Sequence, residues 1–247
     1  MKVSELLTHI TGTMLEDRAA LVEGAGDELF KDATVLRYLT EAQKIYCRDA
    51  WVLEDLTGPA TQISLIEDET DYAFHKSIIH IKSARLSDSA LDLTRVGYGD
   101  NHLIVGSYQT DPDFWDTNLA LQENSGRPGR YSVDMGTRTI RVRQKPDEDS
   151  ALLKLQLAVV RMPLCDLTKE NADKEPEIPE EHHLDLTLFA AGSCLTRTAD
   201  IDAELKKLGR EWLGEFYGNV AKAKRDKQRR QQSMPRFRFG GWGNGGS

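Results

Sequence analysis

The apolar residues of this chain change period twice, and that change restricts the fold more than any other feature. Up to about Leu53 they recur every three or four positions. From Thr57-Gly58-Pro59 to Pro163 they alternate with polar and charged residues. Beyond Pro179 the three-to-four spacing returns and runs to Val220. A helical face has a period near 3.6 and a half-buried strand a period of 2, so one pattern cannot serve as the other. Helices, then strands, then helices gives an α+β fold by segregation.

Residues 1–22 suggest a short helix with Leu6, Leu7, Ile10 and Met14 near one face. Glu23–Phe30 reads as a loop. Asp32 looks like the N-cap of a helix running to about Leu53, with Leu36, Leu39, Tyr46, Ala50 and Leu53 at helical spacing. Pairs such as Ile63/Leu65, Ile79/Ile81 and Ile140/Val142, and the run Leu153, Leu155, Leu157, Val159, predict half-buried antiparallel strands, with charges such as Arg141 and Arg143 at the alternate positions. Turn chemistry separates them at Gly97-Tyr98-Gly99-Asp100-Asn101, Gly126-Arg127-Pro128-Gly129 and Lys145-Pro146-Asp147.

Asp166–Pro176 is a polar connector. Pro179 can occupy the first turn of the next helix, with Glu180 and Glu181 near its positive end. That helix is expected to bury Leu184, Leu188, Ala191 and Leu195. A last helix starts near Asp200, where Ile201, Leu205, Leu208, Trp212, Phe216 and Val220 form one stripe. The expected organisation is therefore N-terminal helices (1–56), an inserted antiparallel β-domain (57–165), C-terminal helices completing a bundle (166–232) and a flexible Arg/aromatic/Gly tail (233–247). At 247 residues this is one large domain or two small ones.

Charge follows the same division. Lys and Arg number 32 and Asp and Glu 40, a net of −8, yet residues 218–247 hold eight cations and one acid, Asp226. The tail is therefore +7 and the rest −15. An acidic body repels nucleic acid, whereas a basic arm seeks anionic surfaces. Residues 221–232 favour helix but carry no large apolar side chain, so they either fray or become ordered on a partner. The arm residues Lys222, Lys224, Arg225, Lys227, Arg229, Arg230, Arg236 and Arg238, with Phe237, Phe239 and Trp242 as aromatic anchors, are the candidate partner-binding set. Three readings stay open for them: phosphate contact with base stacking, a solvated tail, or a peptide arm docking on a protein. The apolar stripe feeding straight into the arm favours the third.

Catalytic and metal signatures are weak. In Glu180-Glu181-His182-His183 the adjacent histidines point about 100° apart on a helix and cannot share a face, so the cluster reads as a surface helix start. His75 and His80 lie five apart in a strand region and point to opposite faces. Gly192-Ser193-Cys194 sits inside a helix rather than on a strand–turn–helix elbow, which points to close packing. No GxxxxGK[ST] occurs and no GxGxxG stands between a strand and a helix, since the run Gly240–Gly246 reads as a flexible end, and no cofactor is implied. Cys47, Cys165 and Cys194 are an odd, scattered set, as in a chain folding in a reducing compartment. The first residues do not read as a signal peptide. The most apolar stretch, Leu155–Leu164, is broken by Gln156 and Arg161, so no membrane association is expected.

Several short segments resemble the head-to-tail adaptor (connector) proteins of tailed bacteriophages, especially the short-tailed ones. Tyr38-Leu39-Thr40-Glu41-Ala42-Gln43 is similar to the family's YLNEAQ helix, with Thr40 for Asn. The strand Thr61–Leu65, Tyr72 and the strand Ile78–Arg85 follow, although Ala73-Phe74-His75 stands where the family usually has Leu-Pro. Gly126-Arg127-Pro128-Gly129-Arg130-Tyr131 resembles its Gly-x-Pro-x-x-Tyr. Ile140–Pro146 and Leu155–Pro163 resemble the two closing strands, and Pro176-Glu177-Ile178-Pro179 with His182 and Leu184 resembles the entry to the penultimate helix. The order and spacing of these pieces carry the resemblance. It implies a non-enzymatic, dodecameric ring under the portal of the virion, made in the host cytoplasm. The ring would extend the DNA channel without binding DNA specifically. The arm would dock on the portal protein. A downstream tail protein, nozzle or tail tube, would follow, with tail fibres a further candidate. The rival reading is a nucleic-acid-binding protein using the basic arm.

Overall fold

The structure, a computed structural model, describes residues 1–15, 30–89, 92–95, 128–142, 144–198 and 201–233. Helices and strands occupy separate stretches of the chain, an α+β fold. Two compact units result. One comprises Met1–Val52, Leu167–Pro176 and Glu180–Ser247, the other Leu53–Asp166 and Glu177–Pro179. The turns expected at Gly97–Asn101 and Gly126-Arg127, and Arg143, lie outside the described residues.

The first unit is helical. Helix α1 (Val3–His9) runs into a π-helical turn, Ile10–Leu15. A π turn closes i→i+5, so it takes up one extra residue. The buried residue after Ile10 is consequently Leu15 rather than the expected Met14. The first N–H groups of a helix lack partners within it. Here Val3 donates to the Lys174 carbonyl (2.9 Å) and Ser4 to that of Ala172 (2.9 Å), which ties the polar connector to the helix start. Helix α2 (Asp32–Ile45) has Lys31 at its N-cap position, one residue before the expected Asp32 and without a side-chain capping bond, and continues as a π turn, Tyr46–Ala50. Trp51, at φ 57°, is left-handed and stops the helix before Leu53.

The second unit holds two four-stranded sheets. In the first, β8 (Lys154–Arg161) is central. It pairs antiparallel with β1 (Glu54–Asp55), β2 (Gln62–Ser64) and the long β4 (Ile78–Leu86). The second has the order β3 (Asp71–Ala73), β7 (Thr139–Val142), β6 (Arg130–Asp134), β5 (Thr94–Arg95), with β5 and β6 parallel and the other pairs antiparallel. Side chains of both sheets share one core, including Leu65, Tyr72, Ile81, Tyr131, Ile140, Val142 and Leu157. The strict alternation expected for Leu155, Leu157 and Val159 is present. It fails in β4, where Ile78 and Ile81 are buried and Ile79 is only half-buried. Register shifts between Ile78 and His80 and between Ile81 and Ser83 explain this, because each bulge consumes a residue and turns the strand by one position. A four-residue helix, α3 (Glu148–Ala151), precedes β8.

Candidate docking surface

Helix α4 (His183–Arg197) and the long helix α5 (Ala203–Ser233) pack together through glycine. A Cβ on Gly192 would lie 2.7 Å from the Gly209 carbonyl oxygen, and one on Gly209 would lie 2.9 Å from the Leu195 Cβ. Only hydrogen fits at this crossing, so the small residues around Cys194 serve close packing. Cys194 is buried, and burial pushes its thiol up to about 12. The apolar stripe of α5 lies on this side, with Phe216 and Val220 buried and Leu205, Leu208 and Trp212 half-buried. On α4, Leu186, Phe189, Ala190 and Leu195 are buried. Leu184, expected among them, is 55% exposed. The α-helix begins only at His183, after a 3-10 turn (Glu180–His182), and this sets the phase that places Leu186 and Phe189 inward.

One turn before the basic segment, a polar lock fastens α5. The Asp185 carboxylate accepts from the Tyr46 hydroxyl (2.5 Å) and from the Asn219 side-chain amide (2.8 Å), and His182 lies 3.8 Å from it. His182 also stacks on Tyr46 at 4.8 Å between ring centroids, and Phe216 meets Phe189 at 4.9 Å. Burial alone would raise the Asp185 carboxyl. The contacts from His182, Tyr46 and Asn219 outweigh it and hold the group below the ordinary carboxylate range. Burial, with the bond to Asp185, pushes the Tyr46 phenol far above its usual value. The pair is therefore a fixed hydrogen bond from a neutral phenol to an anion.

Beyond Val220 the helix continues without interruption to Ser233, although it carries no further large apolar residue. The fraying end among the expectations is not what the structure shows. At 1.5 Å per residue, α5 is about 46 Å long. Lys222, Lys224, Arg225, Arg229 and Arg230 are exposed. Lys227 is half-buried and donates its ammonium to the Trp51 carbonyl, where α2 and its π turn end. Of the six arm cations that lie in the helix beyond Val220, five are thus presented to solvent and the sixth holds the helix to its own unit. Arg236, Phe237, Arg238, Phe239 and Trp242 lie outside the described residues.

The remaining candidates have structural surroundings. His183 is buried and His182 is covered by Tyr46, so the pair is not the surface cluster the sequence suggested. His75 sits in the turn before β4 with its Nδ1 2.7 Å from the Ser77 hydroxyl. His80, within β4, is shifted down by burial and by Arg95 and Lys82. Among the described residues no group of three or more His, Cys, Asp or Glu converges as a metal site, and no helix is long and apolar enough to cross a membrane.

Sequence reasoning missed Tyr46, Asp185 and Asn219, which come from three helices and share no sequence spacing. It also missed a clasp in the β unit. Arg161 binds Asp55 (2.7 Å) and Glu177 (2.6 Å), and Glu177 also accepts from the Leu164 and Cys165 N–H groups (2.7 and 3.0 Å). That clasp holds the returning segment Glu177–Pro179 in the β unit. The Pro-x-Ile-Pro pattern was the only sign of it in the sequence.

A family model described as "SU10 adaptor protein" matches residues 1–239. No curated protein matches the chain.

Proposed function

The chain belongs to the SU10 adaptor protein family, and on that premise we propose that it is the head-to-tail adaptor ring of a tailed phage. Membership makes it a phage adaptor with a structural role. The finer reading is a dodecameric ring under the portal that extends the DNA channel. It locks to the portal through the arm and offers its other face to a downstream tail protein and, as a further candidate, to tail fibres.

One observation carries this. The family match runs through α5 and on to Phe239, so the basic arm lies inside the family's span rather than beyond it. The physics supports it. The arm is rooted by the Gly192/Gly209 crossing, locked by Asp185–Asn219 and held by Lys227, so its direction is set before any partner arrives. Identical arms docking together from one ring would turn weak contacts into a stable joint. A body that is −15 outside the tail lets DNA slide past without sticking.

Quantitative mass spectrometry of purified virions, with copy number set against the portal protein, tests the ring. A one-to-one ratio is expected, and absence from the particle overturns the proposal. Deleting residues 233–247 should weaken portal attachment while leaving the helical unit folded; unchanged attachment removes the docking claim. The exposed cations favour one second reading, nucleic-acid binding. That reading requires steeply salt-dependent DNA affinity lost with residues 222–238.

A further inference from the structure

One end of the β unit is built from two loops, 65–70 and 145–153, laced side by side. The Leu65 N–H donates to the Leu153 carbonyl (3.3 Å) and the Asp68 N–H to that of Pro146 (3.0 Å). The Tyr72 hydroxyl pins the first loop from within. It lies 3.1 Å and 2.8 Å from the carbonyls of Ile66 and Glu69 and accepts from the Ile66 N–H (3.3 Å). Asp147 caps α3 by accepting from the Ser150 N–H (2.8 Å), which fixes the second loop.

This rigid tip presents two large apolar side chains to solvent, Ile66 at 55% and Leu152 at 83% exposure. Around them the two loops carry six carboxylates, Glu67, Asp68, Glu69, Asp147, Glu148 and Asp149, all exposed. The single cation in these loops, Lys145, pairs with Asp68 at 3.6 Å. An apolar pair inside a rim of one charge sign, on a backbone that needs no ordering, is an interaction surface selective for a cationic partner.

The complementary surface is present in the same chain. On α5, Lys222, Arg225 and Arg229 fall at i, i+3 and i+7 and form one row. All three are exposed, on the side opposite Val220 and Lys227, which face the helix's own unit. We propose that the acidic tip of one copy receives the outward row Lys222–Arg225–Arg229 of a second copy. The carboxylates pair with the cations, and the aliphatic stems of the row cover Ile66 and Leu152. The contact joins unlike surfaces, so it propagates from copy to copy, and its closure rests on the ring reading above. The arm is then divided: the outward row serves the neighbour, while Lys224, Arg230 and residues 233–247 remain for the portal.

The test is sedimentation velocity on the full-length chain at low and high salt. Three variants are compared: a tip reversal (Glu67→Lys, Glu69→Lys, Glu148→Lys), a row reversal (Lys222→Glu, Arg225→Glu, Arg229→Glu) and the two combined. These positions are solvent-exposed, and circular dichroism checks that each variant stays folded. Each reversal alone should weaken self-association at least about tenfold, and the combination should bring it back to within about threefold of the original chain. Added salt should weaken the original contact. Replacing Ile66 and Leu152 by Ser should weaken it without changing its salt dependence. The proposal is overturned by a chain that stays monomeric at roughly 100 µM in low salt, by a tip reversal that changes nothing, or by a combination that fails to recover. Sensitivity to the row reversal alone means that the row meets some other surface, and it also overturns the proposal. A one-to-one copy number in virions with a failed recovery removes this contact and leaves the ring. Recovery with absence from virions does the reverse.

Discussion

Four glycines on one pair of helices should respond to the same substitution with opposite signs. Replacing Gly by Ala inside a helix gains about 1 kcal/mol from the backbone alone. At Gly214 and Gly218 an added methyl meets nothing within 4 Å, so each should realise that gain in full. At Gly192 the methyl would lie 2.7 Å from the Gly209 carbonyl oxygen, 3.0 Å from the Leu213 Cγ and 3.3 Å from the Leu213 nitrogen. Two of these three atoms are helix backbone, which yields only if α4 and α5 move apart. Overpacking of that kind costs about 1–3 kcal/mol, and separating the helices also loosens the Asp185–Asn219 bond further along. Gly192→Ala should therefore be destabilising by up to about 2 kcal/mol net, and Gly214→Ala stabilising by about 1 kcal/mol. For a chain of this size 1 kcal/mol shifts the melting temperature by roughly 2–4 °C. Far-UV circular dichroism during heating and in urea reads the helical transition of each variant. A Gly192→Ala chain that melts at or above Gly214→Ala refutes the reasoning, because it would mean that the crossing is not tight.

Two further outcomes follow from the polar clusters. Arg161→Met should destabilise the β unit by about 3–5 kcal/mol, since it leaves Asp55 and Glu177 facing each other with no cation; urea unfolding with and without Asp55→Asn in the same chain checks it, and the second substitution should recover part of the loss. Acid should weaken both units. At Asp55 burial would raise the carboxyl, but the Gly58 N–H, Arg161 and the Thr57 N–H outweigh it, and Asp185 is likewise held low. A carboxyl depressed in the folded state adds stability that is complete above its unfolded value, near 4, and lost as pH falls through the folded one. The melting temperature should hold from pH 7 to about 5 and fall below that, and Asp185→Asn should flatten the fall in the helical unit.

Period carried most of the architecture. The switch from 3.6 to 2 and back marked the helical and β stretches because each face has to meet a core. What it missed is local and has physical causes. Two π turns and the β4 bulges each absorb one residue, and a single added residue shifts a face, which is why Leu15 replaced Met14 and Ile78 replaced Ile79. Leu184 is apolar yet exposed because the helix phase was set by where the 3-10 turn ends. The candidate site divides in the same way. Charge and composition revealed the basic arm, since those are properties of consecutive residues. The lock of Tyr46, Asp185 and Asn219 was hidden because its members come from the π turn after α2, from α4 and from α5 and meet only once the bundle forms. Lys227 reads in sequence as one more arm cation, and only its bond to the Trp51 carbonyl separates it from the others.

The arm's helicity bears on how the proposed docking would differ from coupled folding. An isolated segment such as 221–232 would be marginal, because starting a helix fixes several residues for one hydrogen bond. Here the start lies in the bundle, where α5 is packed against α4 from Gly209 and locked at Asn219. Each further residue then only propagates, at an equilibrium constant near 1, and Lys227 pins the helix again about two turns beyond the lock. Ordering a residue's backbone costs about 1–2 kcal/mol. A partner that meets a preformed helix avoids that cost over the whole basic segment, whereas one that folds the arm on contact does not. Cutting the root should therefore weaken docking although no docking residue is touched. Asn219→Ala with Lys227→Ala leaves the exposed cations in place. The double variant should bind the portal less tightly than the original chain, with an added unfavourable entropy in calorimetry. Equal affinity for both chains would mean that the arm orders itself on the partner and that its root does not matter.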